Sequence, residues 1–566
     1  MSNSLFRTKN IDKILKDAAT MEESAHGGGG LKRVLTLKDL TFFGIAAIIG
    51  AGSFSSLGEA VFKGGPGVVF LFIICAVACG FTALCYAEFA SRIPVAGSAY
   101  TYAYASFGEL FAWVIGWALI MEYSIGNIYV AFSWSDYFTS FLHRIGADMP
   151  DYLSCSYIEA KKAVANNSSN QELINAWNSA PLVSGMKIIF DLPALIINLF
   201  ITTLVYIGIK ESRNFSNIMV ILKLCIVALV IVVGAAYVNS DNWFPLNDEG
   251  LPSFMPNGFT GVMTAVSGVF FAYIGFDAIS VMAEESKNPQ RDLPRSMLLS
   301  LVICTVVYIL LTMVLTGVTN YRKFEGVGDP LAKIFEEQNV AWMQFLVSIA
   351  AVVAMTSVLL VFQMGQPRIW MSMSRDGLLP PAFQRIHKKY QTPSFATIIT
   401  GLLVGVPILF TDKSFVLDFT SIATLFAFVL VCGGVLLIPK KEKVPGKFNI
   451  PYINGKFLFP LIVVAAMALA LMLDNNYFAN LINNAGDNVS LTVSTIIFWI
   501  ALILIAIASF IKSFSLIPLM GLSSCLYLLT GMSAANWAWF GSWLALGLIV
   551  YFSYGYKKSK LAKKSL

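Results

Sequence analysis

Long apolar runs separated by short polar segments fill most of this 566-residue chain. Residues 224–240 and 491–511, for example, carry no charged side chain and are long enough to cross the hydrocarbon core of a bilayer as helices. A membrane β-barrel would instead show short strands in which polar and apolar residues alternate. The pattern predicts an all-α polytopic membrane protein with about fourteen transmembrane helices. The predicted spans are 40–62, 67–91, 108–141, 186–207, 216–238, 258–283, 297–319, 341–373, 394–411, 415–438, 457–474, 491–511, 515–532 and 535–555.

The composition agrees with membrane insertion and excludes several other classes. Hydrophobic residues make up 57% of the chain and charged residues 13%, against about 45–50% and about 25% in soluble proteins. This excludes a cytosolic enzyme and argues against a nucleic-acid-binding protein, although the net charge is +6. With the amino terminus inside, 29 of the 39 Lys and Arg residues fall on the inner side and 9 on the outer side. This asymmetry predicts a multi-pass protein of the plasma (cell inner) membrane with both termini cytoplasmic.

Glycines interrupt two of the predicted spans. The first span contains Gly50-Ala51-Gly52 near its centre, and the sixth contains Gly275, followed by Asp277. Because these two spans lie five apart, the pattern predicts a 5+5 inverted repeat in which a broken helix opens each half. The predicted order is an amino-terminal segment with an amphipathic helix at 8–24, two five-span repeats, four additional spans and a basic cytoplasmic tail. Their predicted boundaries are 1–39, 40–238, 239–438, 439–555 and 556–566.

Broken spans of this kind suit the binding of an α-amino acid. Unwound backbone inside a bilayer is tolerated where it is buried in protein or lines a cavity. Free N–H groups at the N-terminus of a half-helix attract a carboxylate, and free carbonyls at a half-helix C-terminus accept hydrogen bonds from an ammonium group. The alternative interpretation is that these glycines serve the close packing of helices.

Ionisable residues inside apolar spans are further candidates, because each is costly in a membrane. Lys223 lies near the middle of the fifth span, Glu122 lies near the middle of the third, and Asp277 follows the break in the sixth. The alternative for Lys223 is that its long side chain extends to the inner surface. The eight cysteines and three histidines form no cluster with metal-ligand spacing, so the sequence predicts no metal site and no enzyme.

Several segments, in this order, resemble the amino acid–polyamine–organocation superfamily, and within it the cationic amino acid transporter family and its bacterial relatives. These segments are GIAAIIGAG (44–52), YAEFASRIPVAGSAYTYAY (86–104), FFAYIGFDAIS (270–280), EESKNPQRDLPRS (284–296), RIWMSMSRDGLLP (368–380) and IVYFSYG (549–555). In bacterial relatives the last motif closes the twelfth span. Here it closes the fourteenth predicted span, so residues 457–511 resemble a two-span addition.

The resemblance implies a leucine-transporter-like fold with the substrate between the first and sixth spans. The glycines and alanine of the first break would face the substrate carboxylate, and three carbonyls of the sixth span would face its amino group. Phe276 would line the side-chain pocket, whose wall is made more polar by Ser53, where the family usually has Ile or Val. The implied substrate-binding residues are Gly50, Ala51, Gly52, Phe271, Ala272, Ile274 and Phe276.

The match at Lys223 implies proton coupling, because a lysine at this place in proton-coupled relatives occupies the position of a sodium ion. The protonated amine would hold the first and eighth spans through carbonyl and hydroxyl groups, and the neutral amine would release them. Glu122 is the second candidate for proton coupling. Thr356 and Ser357 in the eighth span offer the alternative, because their hydroxyls would suit a sodium ion.

These observations predict a secondary active symporter that carries amino acids across the membrane by alternating access, driven by protons. It would need no cofactor, since the proton is the coupling ion. Its partners would be an amino acid and membrane lipid, and not nucleic acid. An exchanger or a sodium-coupled carrier stays open, as does an amino-acid-binding membrane sensor, although the short polar ends favour a carrier. The sequence leaves open whether the substrate is cationic or neutral, the oligomeric state and the role of the two extra spans.

Overall fold

A computed structural model gives the fold of most of the chain. It describes residues 5–9, 34–50, 52–95, 97–166, 171–183, 185–208, 212–247, 250–390, 392–437, 448–473, 475–483 and 489–561. Most of these residues lie in α-helices, and a two-stranded antiparallel sheet pairs Leu182–Val183 (β1) with Met186–Lys187 (β2). The predicted amphipathic helix at 8–24 falls almost entirely outside the described residues.

The helices are numbered here in chain order. Those up to the sixth predicted span are α1 (Leu37–Ile48), α2 (Leu57–Gly64), α3 (Val68–Arg92), α4 (Ser98–Ser106), α5 (Glu109–Arg144), α6 (Tyr157–Ala165), α7 (Gln171–Ser179), α8 (Leu192–Ile207), α9 (Ser212–Ala235), α10 (Gly258–Thr264) and α11 (Val266–Phe271). The later ones are α12 (Pro289–Val318), α13 (Pro330–Glu337), α14 (Ala341–Arg375), α15 (Ser394–Ile408), α16 (Lys413–Leu437), α17 (Gly455–Leu473), α18 (Tyr477–Asn483), α19 (Val489–Lys512), α20 (Leu516–Thr530), α21 (Ala534–Val550) and α22 (Tyr556–Lys558).

Ten helical segments in the described part of the chain are long and apolar enough to cross a membrane, as judged by length and composition. Three further apolar helices, α8, α15 and α20, are shorter. The sixth predicted span is built from pieces, namely α10, α11 and a 3-10 helix at Asp277–Glu285. The prediction of a polytopic helical membrane protein is therefore confirmed, whereas the count of fourteen spans and the 5+5 repeat stay predictions.

Two helices begin well away from the predicted span boundaries, for local reasons. The fourth predicted span begins at residue 186, but α8 begins at Leu192, because the Asp191 carboxylate caps it by accepting a hydrogen bond from the Ala194 N–H (2.9 Å). The seventh begins at residue 297, but α12 begins at Pro289, since proline suits the first turn of a helix, where no N–H partner is needed. A side-chain cap at α8 and a proline in the first turn of α12, and not the apolar pattern, accompany these two starts.

The two longest helices, α5 and α14, form the centre of the bundle. They have 36 and 35 residues, as the long third and eighth predicted spans require, and they pack against each other more extensively than any other described pair. A polar network joins α14 to its neighbours α8 and α15. Gln363 Nε2 donates to Asn198 Oδ1 (2.6 Å), and Thr202 Oγ1 donates to Gln363 Oε1 (2.9 Å). Asn198 Nδ2 in turn donates to the Gly401 carbonyl (3.1 Å), so α8, α14 and α15 are held as a unit.

The helices α17 and α19, which occupy the predicted two-span addition, lie at the edge of the bundle. Their apolar segments are only 17% and 22% buried inside the protein. Together with α20 they form a small cluster of buried side chains, Phe459, Val463, Phe498, Leu502, Ala506 and Leu519. Because this cluster is separate from the main core, the two helices contribute little to the packing around the two broken spans.

The bundle has two distinct ends, which α5 connects. At one end, called the hairpin face, the described residues between 151 and 191 include a 3-10 turn, α6, α7 and the β-hairpin. At the end called the terminal face, both described ends of the chain meet at the start of α5. The Lys9 N–H donates to the Tyr104 carbonyl (3.1 Å), and Ser559 Oγ donates to Glu109 Oε2 (2.5 Å).

Candidate substrate-binding site

The predicted break in the first span is present. α1 ends at Ile48, and helical turns resume as a π-helix at Gly52–Ser56, which leads into α2. The Gly50 carbonyl, between the two pieces, accepts hydrogen bonds from the N–H groups of Ser53 (3.1 Å) and Phe54 (3.0 Å). Ala51, predicted to face the substrate, lies outside the described residues.

The Ser53 hydroxyl forms a hydrogen bond within the first break. The side chain is fully buried, and its hydroxyl donates to the Gly50 carbonyl three residues earlier (3.0 Å). The polar atom is therefore used inside the break itself. The more polar wall expected from the resemblance stays a prediction.

The sixth predicted span is also broken, at the place indicated by its glycine. α11 ends at Phe271, whose carbonyl accepts a hydrogen bond from the Ile274 N–H (3.1 Å). Gly275 follows with φ +120°, a conformation that residues with a Cβ rarely adopt. The chain then continues as the 3-10 helix Asp277–Glu285. Both breaks thus interrupt the regular i to i−4 hydrogen bonding and leave carbonyl and N–H groups for other partners.

The two breaks pack against each other almost backbone to backbone. A Cβ on Gly52 would lie 2.6 Å from the Ala272 Cα, and a Cβ on Gly275 would lie 2.7 Å from the Ala47 Cβ. The neighbouring atoms belong to the backbone or are fixed to it, so they cannot move aside independently. Close packing, the alternative interpretation of the glycines, is therefore part of how the site is built and does not exclude binding.

Tyr308, on α12, joins the two breaks and was not expected from the sequence. Its hydroxyl lies 2.8 Å from the Ile48 carbonyl oxygen and 2.8 Å from the Ala272 carbonyl oxygen, and it can donate to one of them at a time. One of the carbonyls predicted for the substrate amino group, that of Ala272, is therefore already within reach of a protein donor. A tyrosine hydroxyl in an otherwise apolar span is the signal that could have indicated this role.

Aromatic rings surround the second break. The Phe271 ring, one of the implied substrate-binding residues, contacts the Tyr129 ring of α5 with centroids 4.5 Å apart. Phe276, predicted to line the side-chain pocket, contacts Tyr86 (6.0 Å) and Phe428 (5.2 Å) and is fully buried. The tertiary structure therefore places an aromatic wall beside each of these two phenylalanines.

Lys223 reaches the end of α1, as the resemblance implied. Its ammonium donates to the carbonyls of Ala46 (3.0 Å) and Ile49 (2.6 Å) and to Ser357 Oγ on α14 (3.3 Å). Three acceptors match the three N–H bonds of an ammonium group. The side chain is 0% exposed, so the alternative in which it extends to the inner surface is wrong.

The environment of this ammonium explains how a charge is tolerated here. A charged group taken out of water costs several kcal/mol unless partners replace its hydration. The two carbonyls belong to the last turn of α1, where the helix dipole is negative and favours a cation. Lys223 therefore ties α9 to the unwound end of α1 and to α14.

Of the two hydroxyls considered for sodium, one is engaged elsewhere. Thr356 Oγ1 accepts a hydrogen bond from Trp134 Nε1 (2.9 Å) and donates to the Val352 carbonyl (2.7 Å). Ser357 is the hydroxyl that contacts Lys223. A cation beside the Ser357 hydroxyl would therefore lie close to the Lys223 ammonium and be repelled by it.

Glu122 lies in a different part of the core from Lys223. Glu122 and Asp277 are 3% and 1% exposed, and they interact electrostatically with each other. Within the part of the chain that the structure describes, Glu122 Oε2 and both carboxylate oxygens of Asp277 have no hydrogen-bond partner. Buried carboxylates of this kind are costly unless they carry a proton or meet a cation. The Lys223 ammonium thus bonds to α1 and α14, whereas Glu122 interacts electrostatically with Asp277.

Several contacts at the terminal face join the 3-10 helix after the second break to α14 and to the segment before α1. Arg368 Nη2 lies 2.5 Å from Glu285 Oε1, and Arg375 Nη1 lies 3.5 Å from Glu284 Oε1. The segment before α1 adds backbone bonds, because the Leu35 N–H donates to the Glu285 carbonyl (3.0 Å). These ion pairs and hydrogen bonds tie the end of the sixth predicted span to α14 and to the segment before α1.

The hairpin face instead contains a cavity of about 730 Å³. Its acidic, basic and histidine lining residues are Glu59, Asp136, Asp148, Asp151, Glu159, Glu172, Asp329, Lys63, Lys413 and His143. Burial raises the pKa of Asp329 to about 6, although Ser140 and Arg144 act in the opposite direction. Burial also raises the pKa of Glu159, against the hydrogen bond that its carboxylate accepts from the Lys413 N–H.

A polytopic bundle with two facing helix breaks buried at its centre has the architecture of a membrane transporter. Comparison with known proteins agrees. Residues 35–507 match the amino acid permease family, and residues 515–559 match the family of amino acid permease C-termini. The chain therefore belongs to the amino acid permease family, within the amino acid–polyamine–organocation superfamily, and is a transporter, not an enzyme.

Similar proteins carry several kinds of substrate. The chain is 41% identical over 453 residues to the branched-chain amino acid permease BcaP of Bacillus subtilis, covering 80% of this chain and 89% of that one. It is 33% identical over 562 residues to the methylthioribose transporter of the same species, covering 99% and 100%. It is 31% identical over 634 residues to the vacuolar cationic amino acid transporter 2 of Arabidopsis thaliana, covering 99% and 93%. Amino acid transport is the function that most of these names share.

Proposed function

We propose that this protein is a proton-coupled amino acid symporter, with the substrate bound between the two helix breaks and Lys223 as the proton-coupling residue. The observation that carries the proposal is the set of three acceptors around the Lys223 ammonium. Two of them are carbonyls at the unwound end of α1, and the third is a hydroxyl of α14. Protonation of one amine thus decides whether three helices are joined at the edge of the substrate site.

The coupling follows from the chemistry of that amine. As an ammonium, Lys223 donates to Ala46, Ile49 and Ser357 at once and holds α1 in the position in which the breaks face each other. As a neutral amine it has two N–H bonds and no charge, so the attraction to the C-terminal end of α1 is lost. Loss of the proton then frees α1 to move and opens the terminal face. Substrate release and proton release occur together for this reason.

The asymmetry of the two faces supports alternating access. Ion pairs and backbone bonds cross the terminal face, whereas the hairpin face holds a cavity that reaches Tyr129. We propose that the hairpin face is the outer side, in agreement with the excess of Lys and Arg on the side of the termini. The structure would then correspond to a state that is closed inside and accessible from outside as far as the ring of Tyr129.

Uptake into proteoliposomes tests this proposal, with an imposed pH gradient and no sodium. Radiolabelled L-leucine and L-arginine serve as neutral and cationic probes. The parent protein should accumulate at least one of them when the outside is more acidic. Lys223→Ala should lose this accumulation, because no ammonium joins α1 to α14. Lys223→Arg should fail as well, because a guanidinium does not release its proton in this range.

The matched control is Lys323→Ala. Lys323 lies at the hairpin face, and its side chain is 60% exposed. The control variant should accumulate the probe as the parent does. A Lys223→Ala protein that concentrates the probe like the parent would remove Lys223 from coupling and leave Glu122 as the next candidate. Accumulation driven by a sodium gradient without a pH gradient would favour the sodium-coupled alternative. Probe exchange without net accumulation would identify an exchanger, and binding without any movement would identify a sensor.

A further inference from the structure

The cavity at the hairpin face ends at an aromatic ring close to the second break. Tyr129 lines this cavity, although only 1% of the residue is exposed. Its other side contacts the Phe271 ring, at the end of α11, with centroids 4.5 Å apart and planes at 63°. A substrate that enters from the hairpin face must therefore displace or pass the Tyr129–Phe271 ring pair to reach the break.

An ion pair lies directly over Tyr129 and crosses the mouth of this path. Lys413 Nζ, at the start of α16, lies 2.5 Å from Asp136 Oδ2 on α5. The same ammonium lies 5.6 Å from the centre of the Tyr129 ring. Asp136 follows Tyr129 by seven residues, or about two helical turns, so both project from the same side of α5. Lys413 thus connects α16 to α5 at the level of the ring.

The stability of α16 does not account for a lysine at this position. A cation in the first turn of a helix is opposed by the positive end of the helix dipole. Other residues accept hydrogen bonds from the free N–H groups in the first turn of α16. Asp412 Oδ1 accepts from the Phe415 N–H (2.9 Å), and Glu159 Oε1 accepts from the Lys413 N–H (2.9 Å). The Lys413 side chain therefore has its partner outside its own helix, on α5.

The charges around Lys413 keep it in its ammonium form. Burial works to lower the pKa of Lys413, but the carboxylates of Asp136 and Glu159 and the Tyr129 hydroxyl outweigh it and hold the pKa above its ordinary value. The two side chains of the pair are 20% and 33% exposed, so water screens the pair only in part. Helix α6 fixes the position of α16 further, because Lys162 Nζ lies 2.5 Å from Asp412 Oδ2, the residue before α16.

We propose that Lys413 and Asp136 form the latch of a gate at the hairpin face, which holds Tyr129 against Phe271 and is broken when the substrate path opens. Lys413 is a positioning residue, because it acts through Tyr129 and reaches neither break. The proposal rests on the alternating access proposed above. It adds that the opening movement on this side separates the start of α16 from α5.

Accessibility of a thiol beneath the gate tests the proposal without any substrate. Ala272, between the two breaks, is 0% exposed, so an Ala272→Cys protein in detergent should react slowly with a water-soluble methanethiosulfonate reagent. Lys413→Met or Asp136→Asn in this background should increase the labelling rate about 2- to 5-fold, because the closed state loses its latch. The double exchange Asp136→Lys with Lys413→Asp should return the rate to near that of the parent. If one of the two single variants does not fold, the labelling rate of the other is enough to test the latch.

Lys63→Met is the matched control, because Lys63 lines the same cavity but pairs with Glu59 on its own helix, 2.7 Å away. Its labelling rate should equal that of the parent, and the protein without Ala272→Cys gives the background from native thiols. Any of three results would overturn the latch. The labelling rate could stay unchanged in both single variants, or it could rise and not return to the parental rate in the double exchange. Lys63→Met could also raise the labelling rate as much as the latch variants do. A failure of the proposed function would show separately, as a parent protein that moves neither L-leucine nor L-arginine.

Discussion

The close approach of the two helix breaks gives a sharp test of the site. A Cβ introduced by Gly52→Ala would lie 2.6 Å from the Ala272 Cα and 3.0 Å from its Cβ. Two carbon atoms pack at about 3.5–4.0 Å, so the breaks must separate by about 1 Å to admit the new methyl group. Overpacking of this kind costs about 1–3 kcal/mol of stability.

The effect on binding should be larger than a simple loss of stability. If the Gly52 N–H meets the substrate carboxylate, a shift of about 1 Å lengthens this charge-assisted hydrogen bond beyond a useful distance. Loss of such a bond costs about 1.5–3 kcal/mol, which corresponds to roughly 10- to 150-fold weaker binding. Gly52→Leu should abolish binding, since its side chain would fill the site.

Gly80→Ala is the control for this substitution. Gly80 lies in α3, and a Cβ there meets nothing within 4 Å, so alanine should leave the Tm unchanged or raise it slightly. The assay is thermal unfolding of the purified variants with each of the twenty amino acids, because a ligand that binds the folded state raises the Tm. The half-helix site would be refuted if Gly52→Ala and Gly80→Ala bound the best ligand equally well. It would also be refuted if the amide of that ligand bound as tightly as the acid.

Three further outcomes are expected. Tyr308→Phe removes the hydroxyl shared by the two breaks. It should lower the free energy of unfolding by about 1 kcal/mol, seen in thermal unfolding, and raise the KM of uptake. A variant with the parental stability and KM would show that this hydrogen bond has no role. Burial raises the pKa of Asp329 from 3.8 to about 6, so this group stabilises the fold at acid pH and loses that contribution, at most about 3 kcal/mol, as the pH rises from 4 to 7. Asp329→Asn should flatten the Tm–pH curve over this range, and an unchanged slope would contradict the burial argument. Reporters after Leu566 and near Asn480 should report the inside and the outside, respectively, and the same side for both would rule out two full spans at 457–511.

The features set by local chemistry could be read from the sequence. Apolar runs without charges define helices in a bilayer wherever they occur, so most predicted spans correspond to observed helices. Gly50, Gly52 and Gly275 mark the breaks because backbone conformation and close approach depend on the absence of a Cβ. Lys223 was identifiable because a charge in the middle of an apolar span requires a specific partner. The membership of the amino acid permease family followed from motifs built on these same residues.

What the sequence did not determine is which side chains meet. Tyr308 and the two breaks, Glu122 and Asp277, and Lys413 and Asp136 each come from helices far apart in the chain. Their contacts depend on the rotation and packing of α5, α12, α14 and α16, which no local pattern encodes. Thr356 and Ser357 illustrate the point, since adjacent residues on one helix project about 100° apart and only Ser357 reaches Lys223. Sequence placed the breaks and the buried charges, and tertiary packing decided which acceptor, ring or ion pair each of them meets.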